Sequence, residues 1–192
     1  MVFSHAFAGA ITTKFLLNKS KGITISRDLA YFVGIVASVF PDFDIAVLFL
    51  FPDLQHRYFV THSLLVYLIL YLVVILISKI IKKKELGFLA SVFFLGVLSH
   101  LILDFLGGGI AALAPFVSQL YGFELIWAKY TPEDRLGWAI AYMKSPYMLG
   151  ELALFIIYLG VILKNEVNKV ARRLPLAAFV VSVITLVILS FI

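Results

Sequence analysis

Leu86 to Gly109 reads LGFLASVFFLGVLSHLILDFLGGG, and this stretch decides the class of fold. The part from Leu86 to Phe105 is apolar and long enough to cross a bilayer core of about 30 Å as a helix, and the glycine run then ends it. His100 and Asp104 stand near that end at a spacing of i, i+4, so a helix presents both side chains on one face. The stretch therefore predicts a membrane-spanning helix that carries two side chains able to bind a metal ion.

The composition of the whole chain is that of a membrane protein. Of its 192 residues, 62% are hydrophobic and 14% are charged, against about 45–50% apolar and 25% charged in soluble domains. The formal net charge is +5, but Lys and Arg cluster between apolar stretches, which predicts a lipid bilayer as partner and no nucleic acid. Cysteine is absent, so any metal ligand must be His, Asp or Glu.

No basic residue precedes the first apolar run, so residues 1–20 are expected to be mature protein and not a signal peptide.

The rest of the pattern predicts an all-α, polytopic membrane protein of about six to seven helices in a single domain, residues 1–192. Residues 1–120 carry the motifs, and residues 121–192 form an interfacial segment and two C-terminal spans. Asp28 can cap a helix that Pro41 ends, because proline has no N–H and disfavours helical geometry in the residue before it. The other segments are Ser4–Asn18, Leu29–Phe40, Ile45–Phe51, Ser63–Ile81, Ile110–Ile126 (interrupted by Pro115), the interfacial Trp127–Ser145, Tyr147–Leu163 and Pro175–Ile192.

Three basic segments orient these spans. Residues 14–27, 79–84 and 164–173 are expected to face the cytoplasm by the positive-inside rule. Six ionisable side chains then fall at the opposite helix ends, on one level toward the extracytoplasmic face: His5, Asp42, Asp44, His62, His100 and Asp104.

Those six side chains together predict a metal site. Imidazoles and carboxylates suit a divalent ion such as Zn²⁺, Mn²⁺ or Fe²⁺, and a bridging carboxylate permits two ions. A structural interpretation stays open, in which Asp42 and Asp104 are caps or turn residues and the set is only a polar network. The cost of an ionisable group inside a membrane, roughly 2.5–3.5 kcal/mol each, favours the metal site.

Three further polar residues have two readings each. His56 and Arg57 precede the span that begins at Ser63, and either they anchor the chain at the interface or Arg57 binds a substrate phosphate or carboxylate, which its planar fork suits. Glu151 lies early in a late span. We interpret it as a partner of the helix dipole, with a ligand role as the less favoured alternative.

Five motifs occur in the order His5-x-x-x-Gly9, Pro41-Asp42-Phe43-Asp44, His56-Arg57, Thr61-His62-Ser63 and Ser99-His100-Leu101-Ile102-Leu103-Asp104. Over residues 1–120 this set resembles the YdjM-like family of membrane-bound, metal-dependent hydrolases. That family is distantly similar to zinc-dependent phospholipase C and the S1/P1 nucleases, helical enzymes that split phosphodiesters with clustered zinc.

The resemblance implies a ligand set of His5, Asp42 or Asp44, His62, His100 and Asp104. Asp104 would bridge two ions, and an aspartate of the Pro41–Asp44 turn would act as base. No histidine follows His100, so one or two zinc ions are expected instead of three.

The sequence therefore predicts a hydrolase in which a metal ion activates water and polarises a phosphoryl or acyl oxygen, for example that of a phospholipid. Two other classes stay open. A metal-ion carrier or channel also places carboxylates and histidines in the membrane, but spreads them through its depth. A non-catalytic scaffold would use the polar cluster only to fix helix register. The absence of H-E-x-x-H argues against an intramembrane metalloprotease.

Overall fold

The computed structural model describes residues 4–20, 22–44, 56–123 and 135–191. Within these ranges the chain is all-α, and its strand pairing is limited to an isolated bridge between Ile110 and Tyr121. The predicted segment 45–51 and the first part of 127–145 lie outside the described residues. The α-helices are α1 (His5–Lys19), α2 (Arg27–Val39), α3 (Leu64–Ile80), α4 (Lys84–Leu106), α5 (Arg135–Met143), α6 (Pro146–Tyr158) and α7 (Lys169–Phe191).

The predicted break after the second helix is confirmed. α2 ends at Val39 and a 3₁₀ turn, Phe40–Asp44, follows. The predicted cap was wrong, because the Ser26 hydroxyl accepts from the backbone N–H of Leu29 and fills the cap position. Asp28 lies in the first turn, where a carboxylate is still favourable to the helix dipole.

The start of the last helix also differs from the prediction. α7 begins at Lys169 and contains Pro175, whereas the sequence predicted a basic loop to residue 173 and a helix from Pro175. Proline cannot donate to the carbonyl four residues earlier, that of Ala171. The Tyr158 hydroxyl lies 3.1 Å from that carbonyl oxygen and 2.7 Å from the carbonyl oxygen of Arg172. This side chain from α6 therefore serves the carbonyl that proline leaves without a partner in the helix.

Small residues bring α1, α2 and α4 into close contact. A Cβ added to Gly96 would lie 2.6 Å from the carbonyl oxygen of Gly34 and 2.9 Å from the Cβ of Ala37, and a Cβ on Gly34 would lie 1.9 Å from Oγ1 of Thr13. Helix interfaces in membranes use such small residues to let backbones approach. The N-terminal end of α1 and the C-terminal ends of α2 and α4 are held together as a result.

The outer surface is largely apolar. Among the described residues, α4 and the stretch Pro146–Leu163, which is α6 and the π-helical turn after it, are long and apolar enough to cross a membrane, and α3 is a shorter apolar helix. Exposed side chains of α3 include Leu68, Ile69, Leu70, Leu72, Val73, Leu76, Ile77 and Ile80. A contiguous apolar surface of this kind is one that lipid or another protein covers.

A polar network ties the other end of the bundle together. The Glu166 carboxylate accepts from Arg27 at 2.6 Å and from the Tyr31 hydroxyl at 2.7 Å, and Lys14 Nζ donates to the carbonyl of Val161 at 2.7 Å. Burial alone would raise the pKa of Glu166, but its hydrogen bonds from Tyr31 and Arg27 hold the pKa below the ordinary value. The contacts join α1 and α2 to the segment between α6 and α7.

Replacing Gly96 with alanine tests the helix contact. We expect Gly96→Ala to destabilise the protein by about 1–3 kcal/mol, because the added methyl group meets backbone atoms of α2 that cannot move aside independently. Thermal unfolding in detergent measures the effect. Gly160→Ala is the matched control, since a Cβ there meets nothing within 4 Å. Equal melting temperatures for the two variants would contradict the close contact.

Replacing Glu166 with glutamine tests the network at the other end. Hydrogen bonds to a charged group are lost, so we expect Glu166→Gln to cost about 1–3 kcal/mol at neutral pH. The native pKa is lower than the unfolded one, so this stability is present above pH 4.5 and is lost as the pH falls through the native pKa. The difference in melting temperature from wild type should shrink in acid. The exposed Glu85→Gln serves as control, and a difference that stays constant with pH would refute the ionic contribution.

Candidate metal centre

The six side chains predicted from the sequence meet at one end of the helix bundle. His5 is the first residue of α1, Asp42 and Asp44 lie in the turn after α2, His62 ends a short 3₁₀ turn, Val60–His62, and His100 and Asp104 lie in the last turns of α4. The side chain of Asp42 is 26% exposed, whereas the other five are nearly or fully buried. Asp42 therefore marks the face of the cluster that solvent reaches.

Four of these side chains form a compact set of ligand atoms. One atom each of Asp42, His62, His100 and Asp104 lies within 4.8 Å of the other three. From Nε2 of His100 the distances are 3.6 Å to Asp42 Oδ1 and 3.3 Å to Asp104 Oδ2, and from Nε2 of His62 to the same oxygens they are 3.7 and 3.5 Å. These separations are longer than a hydrogen bond, but they suit atoms that bind the same metal ion.

The backbone of α2 orients His100. Its Nδ1 lies 2.9 Å from the carbonyl oxygen of Ser38, and a carbonyl only accepts, so Nδ1 carries the proton and Nε2 offers its lone pair to the cluster. At the 3₁₀ spacing the Ser38 carbonyl would accept from residue 41, but proline has no N–H. Pro41 thus leaves the carbonyl to the imidazole.

Asp44 orients His62. Nδ1 of His62 lies 3.2 Å from Oδ2 of Asp44, and the Thr61 hydroxyl donates to the same carboxylate oxygen. A carboxylate behind a histidine is the usual outer partner of a metal-ligating imidazole, since it fixes the ring and raises its basicity. The structure therefore places Asp44 behind His62 and outside the set of four, although the sequence predicted it as a ligand.

A loop after α4 holds His62 in position. The Ser63 hydroxyl donates to the carbonyl of Ala114 at 2.6 Å, and the N–H of Leu65 donates to the carbonyl of Ala112 at 3.0 Å. The N–H of Ala111 donates to the carbonyl of Arg57 at 3.2 Å. The segment between residues 57 and 65 is thus fixed on both sides of the histidine.

Arg57 lies at the rim of the cluster. Its Nη1 donates to the carbonyl of Gly107 at 2.9 Å, and its Nη2 lies 3.7 Å from Oδ1 of Asp104. Gly108 has φ +127°, and a Cβ there would lie 2.7 Å from Nη1 of Arg57, so only glycine allows this approach. The side chain of Arg57 is 26% exposed, so it borders both the cluster and solvent. The side chain of His56 lies outside the described part.

The electrostatics of the cluster favour a divalent cation. The described carboxylates of Asp42, Asp44 and Asp104 carry three negative charges when ionised, and Arg57 supplies one positive charge. Burial would raise the pKa of Asp42, but its contacts with His62 and the other histidines lower the pKa to about 2. Burial would lower the pKa of His62, but its contacts with Asp104, Asp42 and Asp44 raise the pKa to about 10. The carboxylates thus attract positive charge to this position.

His5 completes the cluster from the side of α1. Its ring stacks on that of His100, with centroids 3.9 Å apart. Its Nε2 lies 3.7 Å from Oδ1 of Asp104 and 3.9 Å from Oδ2 of Asp42.

Several partners in and near the site carry no local sequence signal. The Ser38 carbonyl contacts His100, which lies on a different helix. The Thr61 hydroxyl acts on His62 through the carboxylate of Asp44, which contacts both residues. Glu151, read from the sequence as a helix-dipole partner, is buried and accepts from the hydroxyl of Tyr142 on α5.

An all-α bundle with an apolar outer surface and a buried group of two imidazoles and two carboxylates defines a helical protein with a candidate metal site. The chain belongs to the YdjM inner membrane protein family, whose family model matches residues 1–190. The match extends past residues 1–120, to which the sequence motifs limited the resemblance. Neither a curated protein nor a solved structure matches the chain significantly, so the distant similarity to phospholipase C and the S1/P1 nucleases stays a prediction.

Replacing Asp44 with asparagine separates an orienting role from a ligand role. If Asp44 acts through His62, Asp44→Asn should weaken Zn²⁺ binding by about 10–100-fold and leave the number of bound ions unchanged. Isothermal titration of the detergent-solubilised protein measures both quantities. The exposed Asp28→Asn, at the other end of α2, is the control. A lower stoichiometry in Asp44→Asn would show that Asp44 is a direct ligand.

Proposed function

We propose that this protein is a membrane-bound, metal-dependent hydrolase that cleaves a phosphoester or ester bond of a lipid or another substrate close to the membrane. The observation that carries the proposal is the ligand spacing at one end of the bundle. It combines four metal-binding side chains with a cationic side chain at a face that solvent reaches.

The donor set favours zinc. Imidazole nitrogens and carboxylate oxygens are donors that zinc takes in proteins. The His–Asp pairs of the cluster are separated by 3.3 to 3.7 Å, so one ion can contact both members of each pair. Asp42, His62, His100 and Asp104 are therefore the proposed zinc ligands. A zinc ion held there would supply a Lewis acid that polarises the scissile group and, by taking a water molecule as an additional ligand, would lower the pKa of that water.

The remaining residues of the site have separable roles. Asp44 and the Ser38 carbonyl hold the two imidazoles in the ligating tautomer. The resemblance implies that an aspartate of the Pro41–Asp44 turn acts as the base. Asp44 contacts His62 and Thr61, whereas Asp42 lies at the solvent-exposed rim of the cluster. Arg57 has its Nη2 turned toward the cluster and binds the anionic group of the substrate, which a guanidinium recognises through paired donors.

The position of the site supports a substrate at the membrane surface. Lys84 and Asp104 stand at opposite ends of the α4 region, so a rise of about 1.5 Å per residue separates them by about 30 Å, the thickness of a bilayer core. With the basic ends in the cytoplasm, the cluster faces the extracytoplasmic surface. A phospholipid ester is the simplest substrate for this placement.

The distribution of buried charge argues against an ion carrier. A carrier requires polar ligands along its path through the membrane. In the described parts of α1, α2 and α4, the buried polar side chains between the cluster and the other end of the bundle are those of Thr13 and Ser38. Both are hydroxyls, and no charged side chain is buried along this described stretch. The charged ligands of these helices are gathered at one level instead.

The experiment combines metal content with activity. Wild-type protein purified in detergent should contain zinc by elemental analysis and hydrolyse a chromogenic phosphodiester or a phospholipid in mixed micelles. His100→Phe should lose both properties, because the ring remains but the ligand nitrogen is removed. Ser99→Ala, beside it on α4, is the control and should keep both. Wild-type protein free of metal, or His100→Phe with full activity, would refute the proposal.

A further inference from the structure

His5 is a buried imidazole with an unusual environment. Its side chain is 2% exposed, and neither ring nitrogen makes a hydrogen bond to a described residue. Buried polar groups without hydrogen bonds are rare because desolvation costs about 1–3 kcal/mol each. The ring is therefore placed for a ligand that the atoms of the described residues do not supply.

The two carboxylates beside His5 divide their oxygens between two directions. Asp42 Oδ1 and Asp104 Oδ2 face the nitrogens of His62 and His100. The other oxygen of each, Asp42 Oδ2 and Asp104 Oδ1, faces Nε2 of His5 at 3.9 and 3.7 Å. These separations are again too long for hydrogen bonds and suit ligands of one ion. Carboxylates that present one oxygen to each side are the bridges of two-metal sites with ions about 3.5–4 Å apart.

We propose that His5 Nε2, Asp42 Oδ2 and Asp104 Oδ1 form a second, weaker divalent-cation site that fills together with an oxyanion, the phosphate group of a substrate or free phosphate. The inference rests on the proposed function, because it takes the first ion at His62 and His100 as given. It assigns His5 to the second ion and not to the first.

The difference in affinity follows from the ligand count. The first site has four protein ligands, whereas the second has three and keeps an open position, as catalytic zinc sites do. Arg57 borders that opening, but its Nη2 is 3.7 Å from Asp104 Oδ1 and its Nη1 is held by the carbonyl of Gly107. The guanidinium therefore lies beside the proposed second ion and can bind the same oxyanion.

The charge balance explains why an oxyanion is needed. The described cluster has two more negative than positive charges when its histidines are neutral, and one divalent ion balances them. A second ion adds two positive charges in a buried place, which an incoming phosphate offsets. Filling both sites also engages both oxygens of Asp42, so Asp42 is then not available as a base.

The test uses Zn²⁺ and inorganic phosphate as probes. Titration of wild-type protein should show one tight ion and a weaker second ion, with the second tightened by phosphate about 5–150-fold, the usual range for coupled sites. His5→Phe keeps a ring against His100 and removes the ligand. This variant should bind the first ion with an affinity within a few-fold of wild type and bind no second ion with or without phosphate.

An independent measurement needs no variant. Mn²⁺ added to wild-type protein with phosphate should give the exchange-coupled electron paramagnetic resonance spectrum of a pair of neighbouring ions, and His5→Phe should give only the spectrum of an isolated ion. Circular dichroism and gel filtration confirm that the variant is folded, and His5→Gln replaces it if it is not.

The outcomes separate the two proposals. Wild-type protein that binds no ion refutes the proposed function itself. Wild-type protein that binds a single ion under all conditions, or an uncoupled manganese spectrum, overturns the second site and leaves the hydrolase proposal intact. Loss of the first ion in folded His5→Phe also overturns it, because His5 would then belong to the first site.

Discussion

The close approach of α1, α2 and α4 is the constraint on which the metal centre depends. Gly34 and Gly96 allow backbone of one helix to touch backbone of the next. Histidine and aspartate side chains are short, so their tips meet only if the helix axes are near one another. Since His5, His100 and the turn after Val39 each extend from one of these helices, the glycine contacts set the size of the site one to two turns away.

Electrostatics and packing place opposite demands on this arrangement. Gathering three carboxylates in a buried place is unfavourable unless each has a partner, and a half-satisfied polar network is worse than an apolar one. The outer partners Ser38, Thr61 and Asp44 satisfy the far sides of the ligands, while the near sides converge. The same helices that pack through glycine therefore also hold a concentration of charge, which only a cation can make stable.

Local sequence patterns predicted much of the fold and of the candidate metal site. The pairing of His100 with Asp104 follows from helix geometry, and the break at Pro41 follows from the chemistry of proline. Contacts between distant parts of the chain could not be predicted. Nothing in the sequence shows that Asp44 contacts His62 instead of joining the four ligand side chains, or that Glu166 contacts Arg27. The error at α7 has the same origin. Pro175 reads as a helix start until Tyr158, from another helix, is seen to serve the carbonyl that proline leaves.

The proline at position 41 has a chemical consequence beyond helix termination. Any residue with a backbone N–H at that position would compete with the imidazole of His100 for the Ser38 carbonyl. If the backbone won, the ring proton could move to Nε2, and the lone pair would point away from the cluster. The imino acid thus selects which nitrogen of a histidine on another helix is basic.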